Sequence, residues 1–163
     1  MRVPDPIGAE LGAVRASTGD PFGNDIPTHI TLLPPTAVSS EQRAAFGHHL
    51  AAVSATQPTF DVRLAGTASF RPVSEVVFVV VARGGEQCRR LAEQVCAGPV
   101  VSPSPFEYHP HVTLAHGVPS PELDRVQREQ EGFSASFRVA EICLYEMSDA
   151  TPWRLHARFP LRG

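Results

Sequence analysis

Two short stretches of this chain carry residue types that can do chemistry, at matching spacing. They are His29-Ile30-Thr31-Leu32 and His111-Val112-Thr113-Leu114, 82 residues apart, with Pro27 and Pro110 just upstream. In extended backbone the side chains at i and i+2 project to the same side. His29 therefore shares a face with Thr31, and His111 with Thr113, while Ile30, Leu32, Val112 and Leu114 are free to be buried. One His-x-Thr alone reads as a surface pair. With seven histidines in 163 residues, fewer than one such triplet is expected by chance, and there are two.

Two histidines facing one cleft suit phosphoryl chemistry, because an unperturbed imidazole, with a pKa of about 6.5, can either accept or give a proton near neutrality. Each group used in this way contributes roughly 10²- to 10⁴-fold. The paired threonine hydroxyls can hydrogen-bond the non-bridging phosphate oxygens. His-Thr pairs on opposite sides of one phosphorus match an in-line displacement without a metal.

Elements that place these residues follow from the patterning. Asp5-Pro6 reads as a helix N-cap followed by proline, with Ile7, Leu11 and Val14 as the apolar stripe up to Gly19. Pro27 leads into the first His-x-Thr strand, which Pro34-Pro35 ends. Ser39 and Gln42 form a capping box for a helix with Phe46, Leu50 and Val53 inward. Phe60, Val62 and Leu64 alternate as a half-buried strand, a second short strand is expected at 67–70, and the wholly apolar run 76–81 reads as a central strand. Gly84-Gly85 breaks it ahead of a helix with Cys88, Leu91 and Val95 inward, stopped at Gly98-Pro99. A proline-rich loop, 99–110, leads to the second His-x-Thr strand, then a short helix opens at Ser120-Pro121 with Leu123 and Val126 inward. The end reads as a hairpin: a strand over 133–146, a turn at 149–152, and a return strand in which Trp153, Leu155, Ala157 and Phe159 alternate with Arg154, His156 and Arg158.

The two halves repeat one order of elements, which predicts an internal duplication. The expected fold class is α+β: one domain over 1–163 with two pseudo-symmetric lobes of antiparallel sheet, helices outside, and the two motifs facing across a central cleft. No linker divides it.

Composition narrows the chemistry further. All fourteen basic residues are Arg, which excludes a lysyl-adenylate, a Schiff base or a phosphate-loop lysine. The net charge of −3 and pI near 6.1 lack the basic excess of a binder of long duplex nucleic acid, so any nucleic-acid ligand should be short. There is neither a run of eighteen apolar residues nor a charged-then-apolar leader, so no membrane span is expected and the cytoplasm is the expected location. Cys88, Cys96 and Cys143 show no C-x-x-C spacing and read as plain thiols. His109, His111 and His116 lack a nearby carboxylate or cysteine that would complete a metal site.

The paired motifs, with Tyr108-His109-Pro110 before the second and Trp153 in the closing strand, resemble the two-histidine phosphoesterases, a family that includes bacterial 2'-5' RNA ligases and cyclic phosphodiesterases. The resemblance spans nearly the whole chain. It implies a bilobal α+β fold and metal-independent, cofactor-free hydrolysis of 2',3'-cyclic phosphate or 2',5'-linked ends of nucleotides or short RNA, with reversible ligation. His29 and His111 match the catalytic positions, and Thr31 and Thr113 the substrate-binding ones. Ligase-type relatives often carry an arginine five residues beyond the second motif's histidine; His116 stands there and is the expected phosphate contact. Relatives usually begin with a full strand, whereas residues 1–4 provide only a short edge or mark an upstream start.

Tyr108 and Phe22 precede the motifs and are candidates for stacking on a base, with loop packing as the plainer reading. His48, His49, His156 and Arg89-Arg90 are read as surface groups. The protein is expected to act as a monomer. Two other readings share the motifs: a nucleotide or RNA-end binding module without turnover, and a metal-dependent hydrolase.

Overall fold

The computed structural model describes residues 1–102, 104–148 and 151–163, with only the backbone of 148, 151 and 152. The chain runs α1 (Ile7–Ser17), α2 (Ser40–Thr56), β1 (Phe60–Ser69), β2 (Val76–Arg83), α3 (Gly85–Cys96), β3 (His111–His116), α4 (Ser120–Glu129), β4 (Ser134–Val139), β5 (Glu141–Ser148) and β6 (Thr151–Pro160). The fold is α+β with antiparallel sheets, as expected: four strands in the order β3-β2-β1-β4, and a β5-β6 pair.

The apolar run 76–81 forms most of β2, which lies inside the larger sheet. Val77 and Val79 on one face are fully buried and join the main core with Leu91, Val95, Leu123 and Val126. Thr67 pairs with Val79 and so shares that face, and its hydroxyl donates to the Gln127 carbonyl of α4 at 2.8 Å. The helices thus cover this side. Val76 and Phe78 on the opposite face are also buried but stand outside that cluster.

The capping box of α2 forms as read: Ser39 Oγ accepts from Gln42 N–H at 3.2 Å, and Gln42 Oε1 accepts from Ser39 N–H at 2.9 Å. Asp5 does not cap α1. Pro6 holds the cap position without a side-chain bond, and the Asp5 carboxylate pairs with Arg2 instead. The two strands expected at 60–64 and 67–70 are one strand, β1, whose register shifts around Gly66; the positive φ of 70° there suits glycine. The strand expected over 133–146 is two. The chain changes sheet at Ala140, so β4 pairs with β1 while β5 pairs with β6. Residues 149 and 150 of the expected turn at 149–152 lie outside the described residues.

The first His-x-Thr stretch is extended but is not a regular strand. A single antiparallel bridge, Arg2 to His29, joins it to the N-terminal residues, with Val3 N–H donating to Thr28 O and Ile30 N–H to Met1 O at 2.9 and 2.8 Å. Pro4 ends the partner segment, and Pro27, Pro34 and Pro35 have no N–H with which to extend a ladder. Among the described residues no helix is long and apolar enough to cross a membrane.

Candidate active site

Alternation holds in both motifs despite their different backbones. Ile30, Leu32, Val112 and Leu114 are buried, while His29, Thr31, His111 and Thr113 are half-buried. The two histidines are held alike: His29 Nδ1 lies 2.6 Å from the Pro27 carbonyl and His111 Nδ1 lies 2.7 Å from the His109 carbonyl, in each case two residues back. A carbonyl can only accept, so each Nδ1 carries the proton, and in the neutral ring Nε2 holds the free lone pair. Thr31 Oγ1 lies 3.1 Å from His29 Nε2, close enough to donate to it.

A bulge in β3 completes the second half of the site. His111 pairs with Val80 and Thr113 with Phe78, but Ala115 pairs with Val77 and His116 with Val76, so Leu114 is one residue in excess. The extra residue reverses the alternation. His116 therefore joins His111 and Thr113 on the face of Val76, Phe78 and Val80, although regular alternation would turn it away. It is exposed.

Aromatic rings wall this half. Phe70 meets the His111 ring edge-on at 4.9 Å and Phe78 lies 5.2 Å from it, with His109 against both phenyl rings. The other half has Trp153, whose ring is 5.4 Å from His29 and 5.8 Å from Tyr145. The halves are tied together by Tyr108, whose hydroxyl donates to the Thr31 carbonyl at 2.9 Å. That bond makes Tyr108 a brace between the motifs, and burial pushes its phenol pKa up.

Burial lowers the pKa of both histidines. His29 falls to about 4, its hydrogen bond to the Pro27 carbonyl opposing the effect and the charges of the N-terminus, Arg15 and His111 adding to it. His111 falls through burial and the nearby His109, opposed by its own bond to the His109 carbonyl. Both rings are therefore neutral near pH 7 without a ligand. The charge of His111 is felt at His29, which puts the two rings within electrostatic reach.

One cavity, of about 660 Å³, is asymmetric. His29, Thr31, Tyr145, Trp153, Arg43 and Arg154 are among its lining, whereas His111 and Thr113 are not. Arg43 pairs with Glu146 at its wall. Phe70, Phe78, Arg43 and Arg154 drew no attention in the sequence, where each reads as an ordinary core or surface residue. Phe22 is exposed. His49 bonds the Gln94 carbonyl and stacks on Phe46, a structural tie between α2 and α3. Among the described residues no three His, Cys, Asp or Glu side chains are grouped to hold a metal ion.

An α+β scaffold thus holds the two motif histidines alike, each with Nδ1 on a carbonyl two residues back. The sequence matches the profile of the 2'-5' RNA ligase superfamily over residues 3–151, and the chain belongs to that family. A Geobacillus kaustophilus protein named for an inferred phosphoesterase activity is 29% identical over 141 residues, covering 85% of this chain and 80% of that protein. A Bacillus thuringiensis protein with a similar name is 25% identical over 146 residues, covering 87% and 83%. The fold matches that of E. coli LigT complexed with 3'-AMP, with a TM-score of 0.71, 23% identity, and 100% and 95% of the two chains covered. It also matches TT0787 of Thermus thermophilus, with a TM-score of 0.68, 21% identity, and 99% and 94% covered.

Proposed function

We propose that the protein is a metal-independent phosphodiesterase that opens 2',3'-cyclic phosphate, or cleaves 2',5' linkages, at the ends of nucleotides or short RNA. The observation that carries this reading is the repeated geometry of His29 and His111, each with Nδ1 anchored to a carbonyl two residues back, so that Nε2 is the nitrogen available for proton transfer, in His29 beside the Thr31 hydroxyl. One domain over 1–163, with a duplicated motif at 29–32 and 111–114, accounts for that repetition. The relatives' names and the nucleotide in the LigT crystal support the class of ligand.

The asymmetry of the cavity supports one assignment of roles. A nucleoside fits on the side of His29, with its base near Trp153, so the ribose oxygen lies near His29 Nε2. Water enters on the side of His111. His111 Nε2 takes a proton from water as the water oxygen bonds to phosphorus; the bond from phosphorus to the ribose oxygen breaks, and that oxygen takes the proton of His29 Nε2. The negative charge of the bound phosphodiester raises the pKa of His29, so that the ring takes up a proton from solvent on binding, which burial otherwise opposes. Thr31 and Thr113 donate to the non-bridging oxygens.

The test is to incubate the protein with the four 2',3'-cyclic nucleotides and a 2',5'-linked dinucleotide, with and without EDTA, and follow phosphorus NMR. Monoester product insensitive to EDTA is expected. Nucleotide binding without product supports a binding module, and loss of activity in EDTA supports a metal-dependent hydrolase.

A further inference from the structure

Permanent charge gathers in the part of the cavity that the mechanism above leaves unused. Glu146 of β5 stands opposite Arg154 of β6 in the sheet register, and Arg43 reaches it from the first turn of α2. Arg43 Nη1 donates to Glu146 Oε1, and His156 Nδ1 lies 3.5 Å from the same oxygen. Arg154 Nη2 lies 3.9 Å from Glu146 Oε2, too far for a hydrogen bond. One carboxylate thus faces two guanidinium groups. Glu146 is the one acid among the described residues that line the cavity, so this end carries a surplus of positive charge. Arg43 also keeps donors in hand: its Nε and Nη2 have no hydrogen-bond partner among the described residues.

This end joins the histidine end through the aromatic wall. His29, Trp153, Arg43 and Arg154 line one cavity, with the Trp153 ring 5.4 Å from His29 and Arg154 next to Trp153 in β6. Regular alternation would turn neighbours 153 and 154 to opposite faces. Between the pairs Glu146–Arg154 and Ser148–Thr151, however, β6 holds one residue more than β5, and at that bulge both side chains meet the cavity. A nucleoside with its base near Trp153 has its 2' and 3' oxygens at His29. An RNA ending in a 2',3'-cyclic phosphate can continue only from the 5' oxygen of that last ribose, so its next negative charge is a 5'-phosphate. Guanidinium forks match phosphate oxygens and stay charged at every working pH.

We propose that Arg43 and Arg154 form a second anion subsite, which holds the 5'-phosphate of a nucleotide whose 2',3'-phosphate lies between His29 and His111. The proposal rests on the phosphodiesterase reading above. It makes the favoured substrate a 5'-phosphorylated nucleotide, or the 3' end of a short RNA, over a cyclic nucleoside phosphate with no second charge.

The test is calorimetric titration of the whole protein with adenosine 3'-monophosphate and adenosine 3',5'-bisphosphate, read as the ratio of the two affinities. The wild type is expected to prefer the bisphosphate roughly five- to tenfold at low salt, the preference shrinking as salt rises. The Arg154 side chain is 71% exposed, so Arg154→Gln leaves the fold intact, and there the ratio should fall to about twofold. With Arg43→Gln added it should fall to about one. Glu146→Gln, which removes the competing carboxylate, should raise the ratio above that of the wild type. A purely structural ion pair would not do this, since its loss would weaken both ligands together. A wild-type ratio near one, no bisphosphate binding, a ratio that survives in the double variant, or no rise in Glu146→Gln would each overturn the proposal. An arginine-dependent preference in a protein that hydrolyses no cyclic phosphate would sustain the subsite and remove the catalytic reading instead. Hydrolysis of 2',3'-cyclic AMP with a ratio near one would do the reverse.

Discussion

The Tyr108 hydroxyl donates to the Thr31 carbonyl at 2.9 Å, so the loop that delivers His111 is fastened to the backbone beside His29. The separation of the two motifs is therefore set by a polar contact as well as by core packing. Tyr108→Phe keeps the ring and removes the bond, leaving a half-buried carbonyl unpaired. A loss of about 1–3 kcal/mol in unfolding free energy is expected, measured by urea denaturation. Turnover should fall with little change in KM, because the mutual placement of the motifs is disturbed more than ligand contact.

The acid–base pair needs one neutral and one protonated imidazole, and burial depresses the pKa of both in the free protein. The profile of kcat/KM should thus peak on the acid side of the ordinary histidine pKa of about 6.5. A plateau extending above pH 8 would contradict the assignment.

Stability shares the same origin with a definite sign. Below pH 6.5 the unfolded chain takes up protons that native His29 refuses until about pH 4, so unfolding free energy should decline as pH falls through that window. In His29→Gln the decline between pH 6.5 and 4 should be shallower, which thermal melts across that range would measure.

His116 reaches the face of His111 and Thr113 through the bulge at Leu114. Replacing it with arginine puts a permanent cation there. KM for a 2',3'-cyclic nucleotide at pH 8 should fall roughly five- to tenfold in His116→Arg, with the fold unchanged. A KM unaffected by the substitution would place residue 116 outside the phosphate site.

Period-two patterning located the buried partners of both motifs, because Ile30, Leu32, Val112 and Leu114 enter the core whether or not the backbone forms a ladder. The capping box at Ser39 and Gln42 was equally legible, since its two bonds are local. What escaped the sequence depends on distant partners. Whether residues 27–32 form a strand depends on what lies beside them, and among the described residues the backbone that pairs with them is that of residues 1–3. The bulge at Leu114 is set by the register against β2, and the switch at Ala140 by competition between two sheets. The burial of Arg15 against Asp20 left one faint signal, a cation four residues after the buried Leu11 on a helix that otherwise turns small and apolar residues inward.

The central claim is that His29 and His111 act together on one phosphorus. It is tested most directly by steady-state rates on 2',3'-cyclic AMP for the wild type, His29→Ala, His111→Ala and the double variant, with folding checked by circular dichroism. Each single variant should lose roughly 10²- to 10⁴-fold in kcat, and the double variant little more than the worse single, as expected for groups that act as a unit. Near-wild-type turnover in either single variant would contradict the account.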